Sequence, residues 1–324
     1  MVDERREKQI LRCAQDDNPA LRTTIQCCEI SVTIFSGRHV TLTSKMRIVS
    51  LQPSVSVILH HLGHLDELVA CTRYCLDILP ELRSRNLPLV HDAWTTTTDE
   101  LTALRPDLVI ASVPYRHESL AAILKAGFPV LALAPHSLAD IYSDIRLIGS
   151  VVNARAQAEA VVASMEAAIA QTSIRAASAG KRPLVYCEEW GKPLIHSQYW
   201  VKELVEAAGG EFLGSPGVVT EADVIAAANP DVVVMAWCGA GMRVPLERTV
   251  EKRGWHQLRA VGERRFFCIT EELLNTPAPS LLGGLQALAS VIHPNIFGDA
   301  EISSSAQASQ MRCINFGAEP SKLV

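Results

Sequence analysis

The sequence lacks several features that would place it in a common functional class. Its 324 residues contain no unbroken apolar run near the length of about 20 that a membrane-spanning helix needs. A formal net charge of −5 gives no basic footprint for nucleic acid. No GxxxxGK[ST] loop is present, and Gly239-Ala-Gly241 fails as a dinucleotide fingerprint because Val244 replaces the third glycine. The residues therefore give poor support for an enzyme.

Metal and redox motifs are also missing. The nine cysteines are odd in number and include no CxxC pair, so we expect mostly reduced, partly buried thiols and, mildly, a reducing compartment. His60 and His64 share a helix face, but the glutamate of an HExxH motif is absent. A site assembled from loop histidines (His91, His117 and His136) is the disfavoured alternative. We predict no metal site.

Both ends of the chain differ from its middle. The opening MVDERREKQI is charged and has no apolar segment of a secretory signal, which predicts a cytoplasmic protein as the sequence is written. Regular periodicity begins only at Met46. We therefore expect residues 1–45 to be a disordered or misassigned extension, and the Ser-, Ala- and Gln-rich residues 299–324 to be a disordered tail.

Between these ends, short apolar runs alternate with helical patterns, which predicts an α/β fold with covered parallel sheets. Strands are predicted over residues 47–51, 108–111 and 130–133 of a first lobe (46–137), and over 184–187, 232–236 and 265–269 of a second lobe (181–298). The Pro-free residues 138–180 predict one long linking helix, or two joined near Gly149.

The two lobes share an internal pattern. Residues 99–110 (DELTALRPDLVI) and 223–234 (DVIAAANPDVVV) each place an aspartate seven residues before Pro-Asp and a strand. This match predicts an internal duplication and a ligand cleft between the lobes. Asp99 and Asp223 open equivalent helices, where capping and the helix dipole favour acids. The same pair could also dock onto a two-fold symmetric basic partner.

Aromatic residues form 5% of the chain, yet most of the Trp and Tyr residues fall at predicted loops or strand ends. We expect Tyr74 and Trp94, both placed in loops, to grip a flat apolar ligand. For Trp190 and Trp200, ligand contact and ordinary packing remain equally open, and Trp255 is expected to pack in the core. The leading hypothesis is a non-catalytic small-molecule binding protein.

Seven segments carry a resemblance to a known family: RIVSLQPSVSVIL (47–59), TRYC (72–75), LRPDLVIAS (104–112), EEWGKPL (188–194), WVKELVEAAGG (200–210), NPDVVVMAWCG (229–239) and GLQALASVIHP (284–294). They make residues 47–297 similar to the substrate-binding components of ABC importers that have a helical backbone (class III). Within that class, the chain resembles the cobalamin-binding, BtuF-like group.

The resemblance implies two Rossmann-like lobes with parallel sheets joined by one long helix, no cofactor, and cobalamin or a related corrinoid in the cleft. It matches Ser54, Tyr74, Trp94 and Glu272 to cleft residues, and Asp99 and Asp223 to the carboxylates that dock onto the permease. It further implies a monomeric, periplasmic protein. The alternatives are heme, siderophore or metal capture on the same scaffold, and an enzyme with a Rossmann-like site at residues 238–241.

Overall fold

A computed structural model describes residues 29–33, 39–43, 45–298 and 310–315. The chain divides into two compact units, residues 1–45 and 46–324. In the first unit, β1 (Glu29–Thr33) and β2 (His39–Thr43) pair antiparallel. The rest of residues 1–44, on which the expectation of a disordered or misassigned extension mainly falls, lies outside the described residues.

The first lobe is a five-stranded sheet with helices between its strands. Its elements are β3 (Ile48–Ser50), α1 (Pro53–His61), β4 (Leu68–Thr72), α2 (Arg73–Ile78), β5 (Leu89–Val90), α3 (Thr98–Leu104), β6 (Leu108–Ser112), α4 (His117–Lys125) and β7 (Val130–Leu133). The strand order is β5-β4-β3-β6-β7, and every pairing is parallel. The predicted parallel sheet is thus confirmed for this lobe.

Two local features of the first lobe concern residues singled out in the sequence. Helix α1 begins at Pro53, because a missing N–H is harmless in the first turn of a helix. Ser54 lies buried inside that turn, and Gln52 is the N-cap residue. The TRYC segment was expected to be a loop, but Arg73–Ile78 forms α2 directly after β4.

Two consecutive helices, α5 (Leu138–Val151) and α6 (Arg155–Ala176), connect the lobes. Asn153 adopts a left-handed φ of 57° between them, so of the two expected arrangements the structure has two helices joined close to Gly149. Gly149 itself lies against Ala158, where a Cβ on the glycine would be 2.5 Å from the alanine Cβ. The glycine therefore permits a close approach of the two helices, and α6 alone spans about 33 Å.

The second lobe contains a seven-stranded sheet. Its elements are β8 (Leu184–Gly191), β9 (Leu194–His196), α7 (Tyr199–Ala207), β10 (Glu211–Phe212), β11 (Val219–Thr220), α8 (Ala222–Ala228), β12 (Val232–Met235), α9 (Leu246–Arg253), α10 (Arg259–Gly262), β13 (Phe266–Ile269), α11 (Glu271–Leu274), α12 (Leu281–Ile292), α13 (Pro294–Phe297) and β14 (Met311–Cys313). The order is β11-β9-β8-β12-β13-β14, with β10 beside β8. Helix α6 packs on α7 and α12.

This second sheet is mixed, which corrects the prediction of two parallel sheets. Strands β8, β10, β12 and β13 pair in parallel, whereas β9, β11 and β14 are antiparallel to their neighbours. Only residues 192–193 separate β8 from β9, and so short a turn can join only antiparallel strands. Strand β14 lies within the tail that was expected to be disordered, and residues 299–309 and 316–324 of that tail lie outside the described residues.

The Pro-Asp motifs occupy equivalent places in the two lobes. The Arg47 N–H donates to Asp107 Oδ2 at 2.8 Å, and the Asp107 N–H donates back to the Arg47 carbonyl at 2.8 Å. Leu184 and Asp231 form the same reciprocal pair, at 2.9 and 2.8 Å. Each aspartate therefore ties the start of its own strand to the start of the neighbouring strand, as an internal duplication predicts.

Candidate functional site

A cleft of about 550 Å³ lies between the two lobes. Residues of α2 and of the following 3-10 helix (Pro80–Arg85) line it on the first-lobe side. On the second-lobe side, residues 239–243 and the first turn of α11 line it; these second-lobe residues are called the wall here. A volume of several hundred Å³ is typical of small-molecule sites.

The first-lobe side presents an aromatic ring and two cations. Tyr74 is 38% exposed and lies in the first turn of α2. The Arg73 guanidinium carbon lies 4.8 Å from the centre of the Tyr74 ring, a cation–π contact. Arg83 pairs with Asp77 at 3.6 Å, and both side chains are well exposed. This side can therefore offer a flat apolar face with positive charge beside it.

The wall is held in place by hydrogen bonds at both ends. Gly239 and Gly241 adopt φ values of 74° and 50°, a region that favours glycine. Their N–H groups donate to Glu271 Oε1 and Oε2, each at 2.9 Å. Arg243 donates to the carbonyls of Gly239 and Ala240 at 2.9 and 3.2 Å. Burial and then the neighbouring charge of Glu272 raise the pKa of Glu271.

Glu272 gives the wall an acceptor without a donor. Its side chain lines the cleft, and its Oε2 atom is buried with no hydrogen-bond partner among the described residues. A buried acceptor of this kind is costly unless a donor satisfies it. Glu272 is therefore an acidic residue of the wall whose carboxylate is only partly satisfied by the protein's own described groups.

A buried ionic network lies behind the wall. Glu188 is fully buried and accepts two hydrogen bonds from Arg253, each at 2.8 Å. Its two oxygens also accept from Tyr186 Oη at 2.6 Å and from Trp237 Nε1 at 2.8 Å. Trp237 comes just before the wall in the chain, and Gly191 lies directly against its ring. The network fixes the chain segment from which the wall emerges.

The structure brings only two of the predicted ligand residues, Tyr74 and Glu272, to the cleft. Trp94 follows β5 in an exposed loop and Trp190 is exposed in β8, and neither is among the residues that line the cleft. Ser54 is buried in α1. Trp200 is 4% exposed and donates to the Leu274 carbonyl at 2.8 Å, which is the packing alternative of the two left open for this residue.

Asp99 and Asp223 occupy equivalent positions, each as the second residue of its helix, α3 or α8. Both are exposed, and neither helix has a side-chain hydrogen bond at its N-cap, which is Thr97 in α3 and Glu221 in α8. The expected capping role is therefore not observed. The two carboxylates remain exposed at the same place on each lobe.

Sequence reasoning found Glu272 but missed the ligand-site role of Arg73, of residues 239–243 and of Glu271. The Gly-Ala-Gly run was considered only as a failed dinucleotide motif and as part of the alternative enzyme site at residues 238–241. The position of the wall residues in the chain could have identified them. Residues 239–243 follow the predicted strand 232–236, and Glu271 follows the predicted strand 265–269. In open α/β sheets the carboxyl ends of parallel strands face the ligand crevice.

The enzyme and metal alternatives gain nothing from the geometry. Burial and the Glu189 carboxylate raise the pKa of the Cys238 thiol to about 12, so a reactive thiolate is not favoured. The histidines pair separately with acids, His60 with Glu81 and His91 with Glu100. Within residues 45–298 and 310–315, no group of three or more His, Cys, Asp or Glu side chains could hold a metal ion.

Comparisons with known proteins agree with this architecture. A family model described as "Periplasmic binding protein" matches residues 48–273, so the chain belongs to that family. The chain is 26% identical over 299 residues to an uncharacterized ABC transporter substrate-binding lipoprotein of Bacillus subtilis, covering 87% of this chain and 91% of the relative. A cobalamin-binding protein of Halobacterium salinarum is 25% identical over 270 residues, covering 80% and 72% of the two chains.

Two solved structures share the fold. A periplasmic heme-binding protein from Pseudomonas aeruginosa aligns with a TM-score of 0.70 at 22% identity, over 78% of this chain and 94% of its own. The vitamin B12-binding protein BtuF of Vibrio cholerae aligns with a TM-score of 0.62 at 20% identity, over 76% and 96%. Proteins of this family bind a solute for transport rather than catalyse a reaction, and they carry no cofactor.

This chain is accordingly a substrate-binding protein of the kind that serves an ABC importer. The predictions of a two-lobed binding protein, of no enzymatic activity and of the family itself are confirmed. Across the described ranges, no helix is both long and apolar enough to cross a membrane.

Proposed function

We propose that the interlobe cleft captures a corrinoid, cobalamin or a close relative, outside the cytoplasmic membrane and delivers it to an importer permease. The observation that carries the proposal is the pairing of an exposed aromatic face, Tyr74, with an unsatisfied buried acceptor, Glu272, across one cleft. The cobalamin-binding relative from Halobacterium supports the ligand class. The family and the lipoprotein relative support the location.

The chemistry of a corrinoid fits both sides of the cleft. Its macrocycle is flat and apolar over its faces, and amide groups with N–H donors surround its edge. Burying a macrocycle face against Tyr74 and Met242 removes apolar surface from water, at about 25 cal/mol per Å². An edge amide that donates to Glu272 Oε2 would relieve that buried acceptor.

Heme is a second candidate because an arginine, Arg73, lies beside Tyr74. Tyrosine oxygen can ligate heme iron, and arginine pairs with carboxylates such as the heme propionates. Arg73 lies beside Tyr74, and Arg83 also lines the cleft. On this alternative the hydroxyl of Tyr74 is essential, whereas on the corrinoid proposal the ring face is what matters.

For delivery, we propose that Asp99 and Asp223 contact basic residues of the permease, one from each lobe of a single copy of this protein. Their exposure at equivalent helix starts, without capping bonds, supports this role. An exposed acid on each lobe gives two similar contacts for a partner with two-fold symmetry. Trp94 and Trp190 are exposed outside the cleft and remain proposed ligand contacts only if a large ligand extends beyond it.

Two variants of one residue separate the ligands. Calorimetric and spectroscopic titrations with cobalamin and with hemin should be run on the wild type, Tyr74→Phe and Tyr74→Ala. The corrinoid proposal expects Tyr74→Phe to bind cobalamin normally and Tyr74→Ala to lose about 1–3 kcal/mol. Hemin binding that is tight in the wild type and lost in Tyr74→Phe, with no cobalamin binding, would overturn it.

The variant Glu272→Gln tests whether the wall contacts the ligand. Gln keeps the size of the side chain and removes its charge, so cobalamin affinity should fall by about 1–2 kcal/mol if Oε2 accepts a ligand amide. Glu159→Gln is the comparison, since Glu159 lies on α6 and does not line the cleft, so its loss should leave affinity unchanged. Equal affinities in the wild type and Glu272→Gln would remove Glu272 from the ligand site.

A further inference from the structure

We infer that the C-terminal strand β14 belongs to the ligand-binding machinery, and that Arg312 is a positioning residue for the wall. The effect on ligand affinity rests on the proposed function. The effect on the order of the wall does not, because it can be measured without any ligand.

Strand β14 closes the edge of the second sheet beside the wall. It pairs antiparallel with β13, with Cys268 opposite Arg312 and Ile269 opposite Met311. The Ile314 N–H donates to the Phe266 carbonyl at 2.8 Å, and the Ile314 side chain is 1% exposed. The strand is therefore anchored by both backbone and apolar contacts.

Arg312 reaches from this strand to the chain that leaves the wall. Its Nη2 donates to the carbonyl of Val244, the residue that directly follows the wall segment 239–243. Its Nη1 lies 3.4 Å from Glu247 Oε1, at the start of α9. The Asn315 N–H donates to the same Glu247 oxygen at 2.9 Å, so Glu247 is tied both to β14 and to the residue two positions beyond it.

The other end of the wall is tied to β14 as well. The Thr270 N–H donates to the Gln310 carbonyl at 3.0 Å, and Thr270 directly precedes Glu271. Glu271 in turn holds the N–H groups of Gly239 and Gly241. Both chain segments that build the wall therefore depend on contacts with residues 310–315.

Loss of these contacts should reduce the fraction of molecules with an ordered wall. Without Arg312 the Val244 carbonyl loses a charge-assisted hydrogen bond, and the wall segment has one restraint fewer at that end. When only a fraction of the molecules is competent to bind, the apparent Kd rises in inverse proportion to that fraction. A fall of the ordered fraction to about one third or one tenth would raise Kd about three- to tenfold.

The test compares Arg312→Ala with Arg259→Ala. Arg259 also pairs with an acid of the second lobe, but its partner Asp231 lies before β12, at the opposite end of that strand from the wall. Arg312→Lys completes the series, because lysine keeps the charge and loses the planar fork of donors. Amide hydrogen exchange of residues 239–243 is measured without ligand, and cobalamin affinity by calorimetry.

We expect the amides of Gly239 and Gly241 to exchange clearly faster in Arg312→Ala, approaching the rate of an unprotected amide once the ordered fraction has fallen to about one third. Exchange should be intermediate in Arg312→Lys and unchanged in Arg259→Ala. Cobalamin affinity should fall in the same order. Wild-type exchange rates in Arg312→Ala would overturn the inference. Should that variant fail to fold, wild-type exchange in Arg312→Lys would overturn it equally. If the wild type binds no cobalamin, the proposed ligand fails, while the exchange rates still decide the role of Arg312.

Discussion

Replacing Arg253 by alanine should destabilise the protein far more than replacing an exposed arginine of the same lobe. Arg253 makes a two-pronged pair with Glu188, and the two side chains are 10% and 0% exposed. Its guanidinium carbon also lies 4.8 Å from the centre of the Trp255 ring. The substitution would leave the Glu188 carboxylate buried, with only the Tyr186 and Trp237 donors.

The expected cost is about 3–5 kcal/mol, because removing one partner leaves an uncompensated buried charge. The matched control, Arg259→Ala, breaks the pair with Asp231, whose arginine is 47% exposed. Solvent screens that pair, so it should cost no more than about 1 kcal/mol. Asp231 also retains the N–H of Leu184 as a donor.

Urea unfolding at pH 7 followed by tryptophan fluorescence and circular dichroism would measure both variants, with the slope of the transition as a check on two-state behaviour. The double variant Glu188→Gln/Arg253→Ala should recover part of the loss, because no full charge then remains buried. Equal costs for Arg253→Ala and Arg259→Ala would refute the assignment of Glu188 as a buried charge that depends on its partner.

Three further predictions concern other parts of the molecule. Burial and then the charge of Asp140 raise the pKa of Asp144 to about 6. The protonated Asp144 side chain therefore favours the folded state below pH 4, and this contribution is lost as the pH rises through 6. The free energy of unfolding of Asp144→Asn, measured by urea denaturation, should exceed that of the wild type by about 1–3 kcal/mol at pH 8 and should equal it at pH 4. Trp200→Ala should lower the free energy of unfolding by about 3–5 kcal/mol in the same assay. The folded fraction of this variant should bind ligand with unchanged affinity. Asp99→Asn/Asp223→Asn should keep the wild-type melting temperature and lose affinity for reconstituted permease at low salt; normal binding would exclude docking by these acids.

The parallel core of each lobe could be predicted because its signal is local. Residues 130–133 were expected to form a strand, and β7 has those bounds. The two Pro-Asp motifs predicted an internal duplication, and their aspartates make the same backbone contacts in both lobes. Buried parallel strands read as short apolar runs, and proline marks where each preceding helix must end.

The antiparallel additions to the second sheet could not be predicted in the same way. Strand β14 is only three residues long with an arginine at its centre, and it follows a polar, Ser-rich stretch. Nothing in that composition distinguishes it from a disordered tail. Its order comes from β13, which lies more than forty residues earlier in the chain and supplies the pairing edge.

Trp200 shows why single residues were harder to assign than elements. An aromatic residue at the start of a helix can face a ligand or the core, and the sequence gives both the same pattern. The structure decides through tertiary contacts, because α7 packs between α6 and α12 and turns the indole toward the Leu274 carbonyl. Tyr74 also lies in the first turn of a helix, α2, but it is 38% exposed and lines the cleft.

The duplicated Pro-Asp motif also explains where the cleft must lie. Asp107 and Asp231 tie together the amino ends of neighbouring parallel strands, so those ends of the two sheets are occupied by structural contacts. The carboxyl ends are left for binding, as in other open α/β sheets. Tyr74 follows β4, the wall segment 239–243 follows β12, and Glu272 follows β13. A motif whose own role is structural thus assigns the binding role to the opposite ends of the same strands.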